Sequence, residues 1–123
     1  MKMRLVAAVV FVLVALVLSL FSDFYVSSRV DEMITEIDYL SSVFAYGEIP
    51  DMSKLFGMWK DCKKLFLIFL KHADADALDI YFLTLENYCA TLEYSEIPDK
   101  LSEIKAFLFV TAEGEKLKSS NIF

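Results

Sequence analysis

The hydrophobic and polar positions divide the chain into an apolar N-terminal run and a longer part with helical stripes. Residues 5–21 contain a single polar residue, Ser19, and are preceded by Lys2 and Arg4. The seventeen residues of this run span about 25 Å as a helix, and the residues that follow extend it toward the roughly 30 Å of a bilayer core. The pattern predicts a transmembrane signal-anchor helix within residues 1–22.

The charges that flank this run predict its orientation. Basic residues precede it and Asp23 follows it, which places the N-terminus in the cytoplasm and the rest of the chain outside a cytoplasmic membrane. A cleaved signal peptide is a second interpretation, with a cleavage site near residues 26–28, although its apolar region typically has only about 7–15 residues. A buried helix of a soluble protein is a third interpretation.

Beyond the apolar run, hydrophobic residues recur every three or four positions, as is typical of amphipathic helices. Four segments show this pattern: residues 24–46, 51–71, 76–94 and 99–118. No Gly or Pro comes before Gly47, so the anchor is expected to run into the first segment without a hinge. Helices of similar length joined by short loops favour an all-α fold, with the anchor continuing into an antiparallel up-down four-helix bundle over residues 23–123.

Two of the predicted turns share a motif. Residues 46–51 read Tyr-Gly-Glu-Ile-Pro-Asp, and residues 94–99 read Tyr-Ser-Glu-Ile-Pro-Asp. Proline is tolerated at the start of a helix but not inside one, and an aspartate beside it favours a helix N-terminus. Each copy therefore predicts a turn that ends one helix and begins the next, at the end of the bundle far from the membrane.

The remaining helix ends are predicted from short polar segments and one glycine. Residues 72–76 are expected to form the second loop, with Asp74 or Asp76 capping the third helix. Gly114 is expected to end or fray the fourth helix, and residues 119–123 are expected to be irregular.

Composition and charge narrow the classes of function. The chain has 57% hydrophobic residues, three Gly and two Pro, which favours a helical protein over an all-β or disordered one. After residue 21 there are ten basic and eighteen acidic residues, a net charge of −8. Nucleic acid is therefore not expected as a partner, because phosphate binding requires clustered Lys and Arg.

Residue patterns that carry catalysis or bind metals are sparse. The sequence contains no phosphate-binding or dinucleotide-binding loop and no Cys/His spacing of a zinc site. His72, Asp74 and Asp76 could approach a cation, but Asp79 stands where a calcium loop requires glycine. The acidic residues of the two motif copies fit solvated helix N-termini as well as a cation or basic partner. We predict no enzymatic activity, no cofactor and no metal site.

The two cysteines leave two interpretations open. Cys62 and Cys89 lie at similar distances from the predicted second loop, so an antiparallel hairpin would bring them to the same height. An outward-facing domain permits a disulfide. However, bundle helices pack about 8–10 Å apart, whereas a disulfide requires Cα atoms within about 7 Å. Both cysteines also fit apolar stripe positions, where buried thiols are common.

Two helices carry more hydrophobic residues than one stripe requires. Residues 65–70 read Leu-Phe-Leu-Ile-Phe-Leu, and residues 106–110 read Ala-Phe-Leu-Phe-Val. A wide core, contact with lipid, docking on another membrane protein and a slot for an apolar ligand all fit this excess. The candidate residues for contact with a partner or with lipid are Phe66, Leu67, Phe69, Leu70, Phe107, Phe109 and Phe123.

Several positions resemble a known family. The resemblance to the bacterial family called domain of unknown function 4363 rests on the basic start of the anchor, Trp59, His72, Leu85-Glu86-x-Tyr88 and the closing residues Ser120-Asn121-Ile122-Phe123. Cys62 and Cys89 lie outside that pattern, and Ile49-Pro50 replaces an aromatic residue. The resemblance implies a bacterial protein with no assigned activity and a multi-pass membrane protein as partner.

These observations predict a membrane protein with a transmembrane helix and an extracytoplasmic helical bundle. Its expected role is accessory or scaffolding rather than catalytic, through docking on a membrane protein, with membrane lipid contacted by the N-terminal helix. The alternative function is the binding of an apolar ligand or a lipid.

Overall fold

The computed structural model describes the backbone of residues 2–122 and the side chains of residues 2–114. Within these limits the chain is helical and contains no strand. The elements are α1 (Lys2–Ala45), α2 (Ser53–Phe69), α3 (His72–Ala90) and α4 (Ile97–Ile122), with a 3₁₀ turn over Tyr94–Glu96 that leads into α4. The predicted all-α fold is confirmed.

The four helices form an antiparallel ring in chain order. Helix α1 packs against α2 and α4, and α3 packs against the same two helices. The core is made by one apolar stripe from each helix, because residues three and four positions apart share a helix face. The fully buried side chains at its centre include Met33, Ile37, Leu55, Phe66, Leu78, Phe82, Leu101, Ile104 and Leu108.

Helix α1 is one helix of 44 residues with two different environments. Before Phe21 its large apolar side chains are exposed, except Leu16, which is half-buried. From Val26 onward, one side chain in every three or four is fully buried, as far as Leu40. The expectation that the anchor enters the bundle without a hinge is confirmed, because this stretch has neither Gly nor Pro to interrupt the backbone hydrogen bonds.

Helix α3 begins four residues before the predicted position. The second loop consists of Leu70 and Lys71 in extended conformation, and His72 is the first residue of α3. Neither Asp74 nor Asp76 is the N-cap, and Asp74 lies in the first turn instead. The alternation of His, Ala and Asp in residues 72–76 contains no helix breaker, so two extended residues suffice to reverse the chain.

Helix α4 continues through Gly114 to Ile122. The expectations that Gly114 ends the helix and that residues 119–122 are irregular were therefore wrong. A glycine costs a helix interior only about 1 kcal/mol, and the residues that flank Gly114 are good helix formers. Phe123 lies outside the described residues.

Helix ends of the same kind occur within the first motif copy and just before the second. Gly47 and Leu92 both have positive φ angles, of 82° and 60°. The residues that follow them close the helices, because the N–H of Glu48 donates to the Val43 carbonyl and the N–H of Glu93 donates to the Tyr88 carbonyl. Beyond these ends the copies differ, since the first stays irregular until Ser53 whereas the second forms the 3₁₀ turn.

Candidate functional site

The seven residues predicted to contact a partner or lipid have different environments in the structure. Phe66 and Leu70 are buried in the core, with exposed fractions of 0% and 8%. Leu67, Phe69 and Phe107 are half-buried, Phe109 is 59% exposed, and Phe123 lies outside the described residues. The prediction was therefore wrong for Phe66, which lies on the core-facing side of α2, and for Leu70, which follows α2 and packs into the core.

Aromatic rings join the end of the apolar run of α1 to the bundle. The Phe69 ring packs edge-on against the rings of Phe21 and Tyr25, with centroid distances of 6.0 Å to each. Tyr25 also packs against Phe66, at 6.2 Å. The loop between α2 and α3 therefore lies at the height where the apolar run of α1 ends.

Three exposed apolar side chains surround this junction. Phe21 and Phe24 on α1 and Ile68 on α2 are each about half exposed or more. Aromatic residues are enriched where a transmembrane helix leaves the bilayer, since their rings suit the headgroup region. We call Phe21, Phe24 and Ile68 the boundary residues.

A second exposed apolar region lies on α3 and α4. Ile80 and Leu83 on α3 and Phe109 and Val110 on α4 are each more than half exposed, and we call these four residues the α3/α4 surface. The rings of Tyr81 and Phe107 lie 5.5 Å apart between the two helices, so the two pairs lie at similar heights. Leu83 lies one turn beyond Asp79, toward α2, and Phe109 lies one turn beyond Lys105, which pairs with Asp38 on α1. The four side chains are therefore spread across the outer side of both helices, where a broad interaction surface would have to include them together.

Charged side chains are absent or directed elsewhere along this part of α3 and α4. Residues 80–85 and 106–112 contain no charged residue. Asp79 comes directly before the first of these stretches, but its Oδ1 pairs with Lys63 Nζ at 2.9 Å and accepts a hydrogen bond from Trp59 Nε1 at 3.4 Å. Both partners are on α2, so the carboxylate faces α2.

The sequence could have indicated the α3/α4 surface more fully. Ile80, Leu83 and Val110 were not among the predicted contact residues. The signal was present for α3, because residues 80–85 form an uncharged run comparable with residues 65–70. Which members of such a run face outward depends on the packing of α3 between α2 and α4.

Both cysteines are free thiols, and they lie at different heights in the bundle. Trp59 stacks on Phe82 with ring centroids 4.9 Å apart, which places Cys62 near the height of Asp79. Cys89 is ten residues further along α3, a rise of about 15 Å. The expectation that the two cysteines share a height was wrong, because the second loop is shorter than predicted and shifts the register of α2 against α3.

Burial raises the pKa of the Cys62 thiol to about 12. The thiol is inside the core and donates to the Trp59 carbonyl at 3.5 Å, so ionising it would place a charge among apolar side chains. Cys89 is half-buried, and burial raises the pKa of its thiol as well. Low thiol reactivity follows at both positions, because the thiolate is the reactive form.

The raised pKa of Cys62 predicts a loss of stability in alkali. The unfolded thiol ionises near its ordinary pKa of 9.0 and the folded thiol near 12, so the folded state holds the proton more tightly. The contribution of the Cys62 proton to the free energy of unfolding is complete below pH 9. It declines as pH rises, by at most about 1.4 kcal/mol per pH unit. The stability difference between wild type and Cys62→Ala, measured by urea unfolding, should therefore shrink between about pH 9 and pH 12. A constant difference over that range would contradict this assignment.

The acidic residues and His72, which were considered as cation ligands, do not form a metal-binding group in the described part of the chain. Among the described residues, no group of three or more His, Cys, Asp or Glu side chains is arranged to hold a metal ion. His72 is exposed at the start of α3. Asp51 accepts the backbone N–H of Ser53 at 2.9 Å, and this hydrogen bond lowers the pKa of the Asp51 carboxyl. This carboxylate therefore stabilises the start of α2.

Among the described residues, α1 is the one helix long and apolar enough to cross a membrane. Its most apolar window has a mean hydropathy of 3.0, and none of that window is buried. This fits a single-pass membrane protein, although a signal sequence near an N-terminus has the same length and composition.

Comparison with known proteins gives one match. A family model described as "Domain of unknown function (DUF4363)" matches residues 20–122. The match begins at the end of the apolar run and covers the whole bundle. No curated protein and no solved structure matches the chain.

Proposed function

Since the chain belongs to the DUF4363 family, whose name assigns no activity, we propose a function from its geometry. The protein is a membrane-anchored extracytoplasmic bundle with a non-catalytic accessory or scaffolding role. It docks a membrane protein partner through the α3/α4 surface. The observation that carries this proposal is the continuity of α1, which has an exposed apolar half and a core-forming half in one helix.

The continuity of α1 supports a defined height of the α3/α4 surface above the membrane. At the end of the anchor, the Phe69 ring of α2 packs against the rings of Phe21 and Tyr25 on α1. Tyr81 lies nine residues beyond the start of α3, about 14 Å from that end of the bundle. The α3/α4 surface is therefore above the lipid headgroups, at a height that an external loop or domain of an integral membrane protein can reach.

The chemistry of the α3/α4 surface supports protein docking. Burying a side chain of the size of Ile, Leu or Phe contributes about 1.5–3 kcal/mol. A few such residues at the centre of an interface supply most of the binding energy. The surrounding bundle is acidic, which favours a partner with basic residues around an apolar centre.

Retention of the anchor and its orientation are parts of the proposal. Lys2 and Arg4 before the apolar run and Asp23 after it support an N-terminus in the cytoplasm. Cleavage near residues 26–28 would remove Tyr25 and Val26, which pack on and in the bundle core. An uncleaved anchor keeps the core of the bundle complete.

Site-specific photocrosslinking in intact membranes tests the docking proposal. A photoreactive residue at Leu83 should form an adduct with one integral membrane protein, whereas one at the exposed Tyr39 on α1 should not. The double substitution Ile80→Ser with Phe109→Ser should reduce the Leu83 adduct at least about tenfold, since 1.4 kcal/mol of lost binding energy is a factor of ten. Equal adducts at Leu83 and Tyr39, or an adduct unaffected by the substitutions, would refute docking through this surface.

Contact with lipid headgroups is the second candidate function. It would involve the boundary residues rather than the α3/α4 surface. Phe21, Phe24 and Ile68 are exposed where the anchor leaves the bilayer, and their chemistry suits the headgroup region. Substituting Phe24 and Ile68 with serine should weaken contact with headgroup-labelled lipids without changing the Leu83 adduct. Unchanged lipid contact in that variant would contradict this second role.

A further inference from the structure

The two copies of the repeated motif meet at one cavity. This cavity, which we call the distal cavity, has a volume of about 340 Å³ and lies at the end of the bundle far from the anchor. The first copy contributes Ile49, Pro50 and Asp51, and the second contributes Tyr94 and Ile97. The other lining residues are Phe44, Met52, Ser53, Phe56 and Cys89. The segments 46–51 and 94–99, far apart in sequence, thus build one site.

The walls of the distal cavity are mostly apolar and include three aromatic rings. Phe44, Phe56 and Tyr94 pack against the core cluster and also line the cavity. Small-molecule sites are typically concave and apolar with a few polar groups, and their volumes start near about 300 Å³. The distal cavity therefore has the size of a small ligand.

The segments that form the rim of the distal cavity are acidic. Residues 46–53 and 91–99 together contain five carboxylates, and the lysines that follow them, Lys54 and Lys100, pair with Glu36 and Glu103. Asp51 lines the cavity itself. Its carboxylate is ionised at neutral pH, because the Ser53 N–H that it accepts favours the charged form. A negatively charged ligand is disfavoured at such a rim, and a positively charged one is attracted.

We propose that the distal cavity binds a small organic cation, in which a ring or short alkyl group carries a quaternary or protonated amine. The apolar body of such a ligand would occupy the space between the rings. Its positive charge would lie near Asp51 and the faces of Tyr94 or Phe56, since aromatic faces attract cations. This proposal does not depend on docking at the α3/α4 surface, which is on the outer side of α3 and α4 lower in the bundle.

Methyl NMR of the full chain in nanodiscs of zwitterionic lipid tests the proposal. Met52 lines the distal cavity, whereas Met33 and Met58 lie between α1 and α2. The methyl signals of Met33 and Met58 therefore serve as internal controls for that of Met52. Benzyltrimethylammonium, which has an aromatic ring and a quaternary amine, should shift the Met52 methyl signal in a saturable way and leave the other two unchanged. Tetramethylammonium has the charge without the ring, and phenylmethanesulfonate has the ring with the opposite charge, so both should bind more weakly.

Substitutions at the rim separate charge recognition from apolar binding. Asp51→Asn combined with Glu96→Gln neutralises one carboxylate in each motif copy. It should raise the Kd for benzyltrimethylammonium about threefold to tenfold, as expected for removing exposed negative charge from the segments around the cavity. The matched control, Asp31→Asn with Glu32→Gln, changes the net charge equally but lies lower on α1, and it should leave the Kd unchanged. The proposal is overturned if Met52 does not shift or if phenylmethanesulfonate binds as well as the cation. An equal effect of the two double variants would also overturn it.

Alkylation of Cys89 gives an independent readout, because this thiol also lines the distal cavity. A bound cation should slow the reaction of Cys89 with the uncharged reagent iodoacetamide, and the Asp51→Asn, Glu96→Gln variant should lose this protection. Cys62 is buried elsewhere in the core and reacts only when the bundle opens, so the cation should slow its reaction only as far as it stabilises the folded state. Protection of Cys89 no greater than that of Cys62 would contradict the proposal.

Discussion

Replacing Phe66 with alanine is expected to lower the free energy of unfolding of the bundle by about 3–5 kcal/mol. Phe66 is fully buried, and its ring packs edge-on against those of Tyr25 and Trp59. The substitution therefore leaves a cavity where α1 and α2 meet and removes two aromatic contacts. Urea unfolding of the full chain in detergent, followed by the fluorescence of Trp59, measures the loss.

Phe109→Ala is the matched control for Phe66→Ala, since it removes the same ring from an exposed position. It should change the free energy of unfolding by no more than about 0.5 kcal/mol. It should also weaken the photocrosslink at Leu83, which Phe66→Ala cannot do selectively. Similar losses of stability for the two variants would contradict the assignment of Phe66 to the core and Phe109 to the surface.

A proline at position 28 is expected to destabilise the protein by about 3 kcal/mol or more. Ser28 lies in the middle of the continuous α1, between the buried Val26 and Val30. Proline removes one backbone hydrogen bond there and clashes with the preceding turn. For a bundle of about 100 residues this loss corresponds to a decrease in Tm of about 12–24 °C.

Ser28→Ala is the control for Ser28→Pro, because alanine keeps the backbone hydrogen bond and favours a helix. Its Tm, measured by circular dichroism, should equal or slightly exceed that of wild type. If Ser28→Pro were tolerated as well as Ser28→Ala, α1 would not be continuous between its apolar run and the bundle.

The apolar stripes could be predicted from sequence because they depend on local spacing. The spacing from Val26 to Leu40 predicted the core-facing side of α1, and the absence of Gly and Pro predicted its continuity. The loop before His72 was predicted too long, because a helix N-terminus without a capping side chain leaves no clear signal. That error moved the expected register of α3 and with it the position of Cys89 relative to Cys62.

The exposed sites depend on packing, which residue spacing describes poorly. Phe66 and Phe109 both occur in hydrophobic runs, yet one is buried and the other exposed, because each helix turns only one side to the core. The distal cavity was also not predicted. The motif copies that build it were recognised as turns, but a cavity between two turns requires the relative placement of α2 and α4, which local patterns do not contain.

The central claim is that α1 is one rigid helix that connects its apolar N-terminal half to the bundle without a hinge. Spin labels at positions 4 and 35 of α1, in a Cys62→Ala, Cys89→Ala background, test it by electron–electron distance measurement in nanodiscs. The account predicts one narrow distribution centred near about 46 Å, the rise of a straight helix over that interval. The Ser28→Pro variant should broaden the distribution. A broad or markedly shorter distribution in the chain without proline would contradict the account, because the anchor and the bundle would then be joined by a hinge.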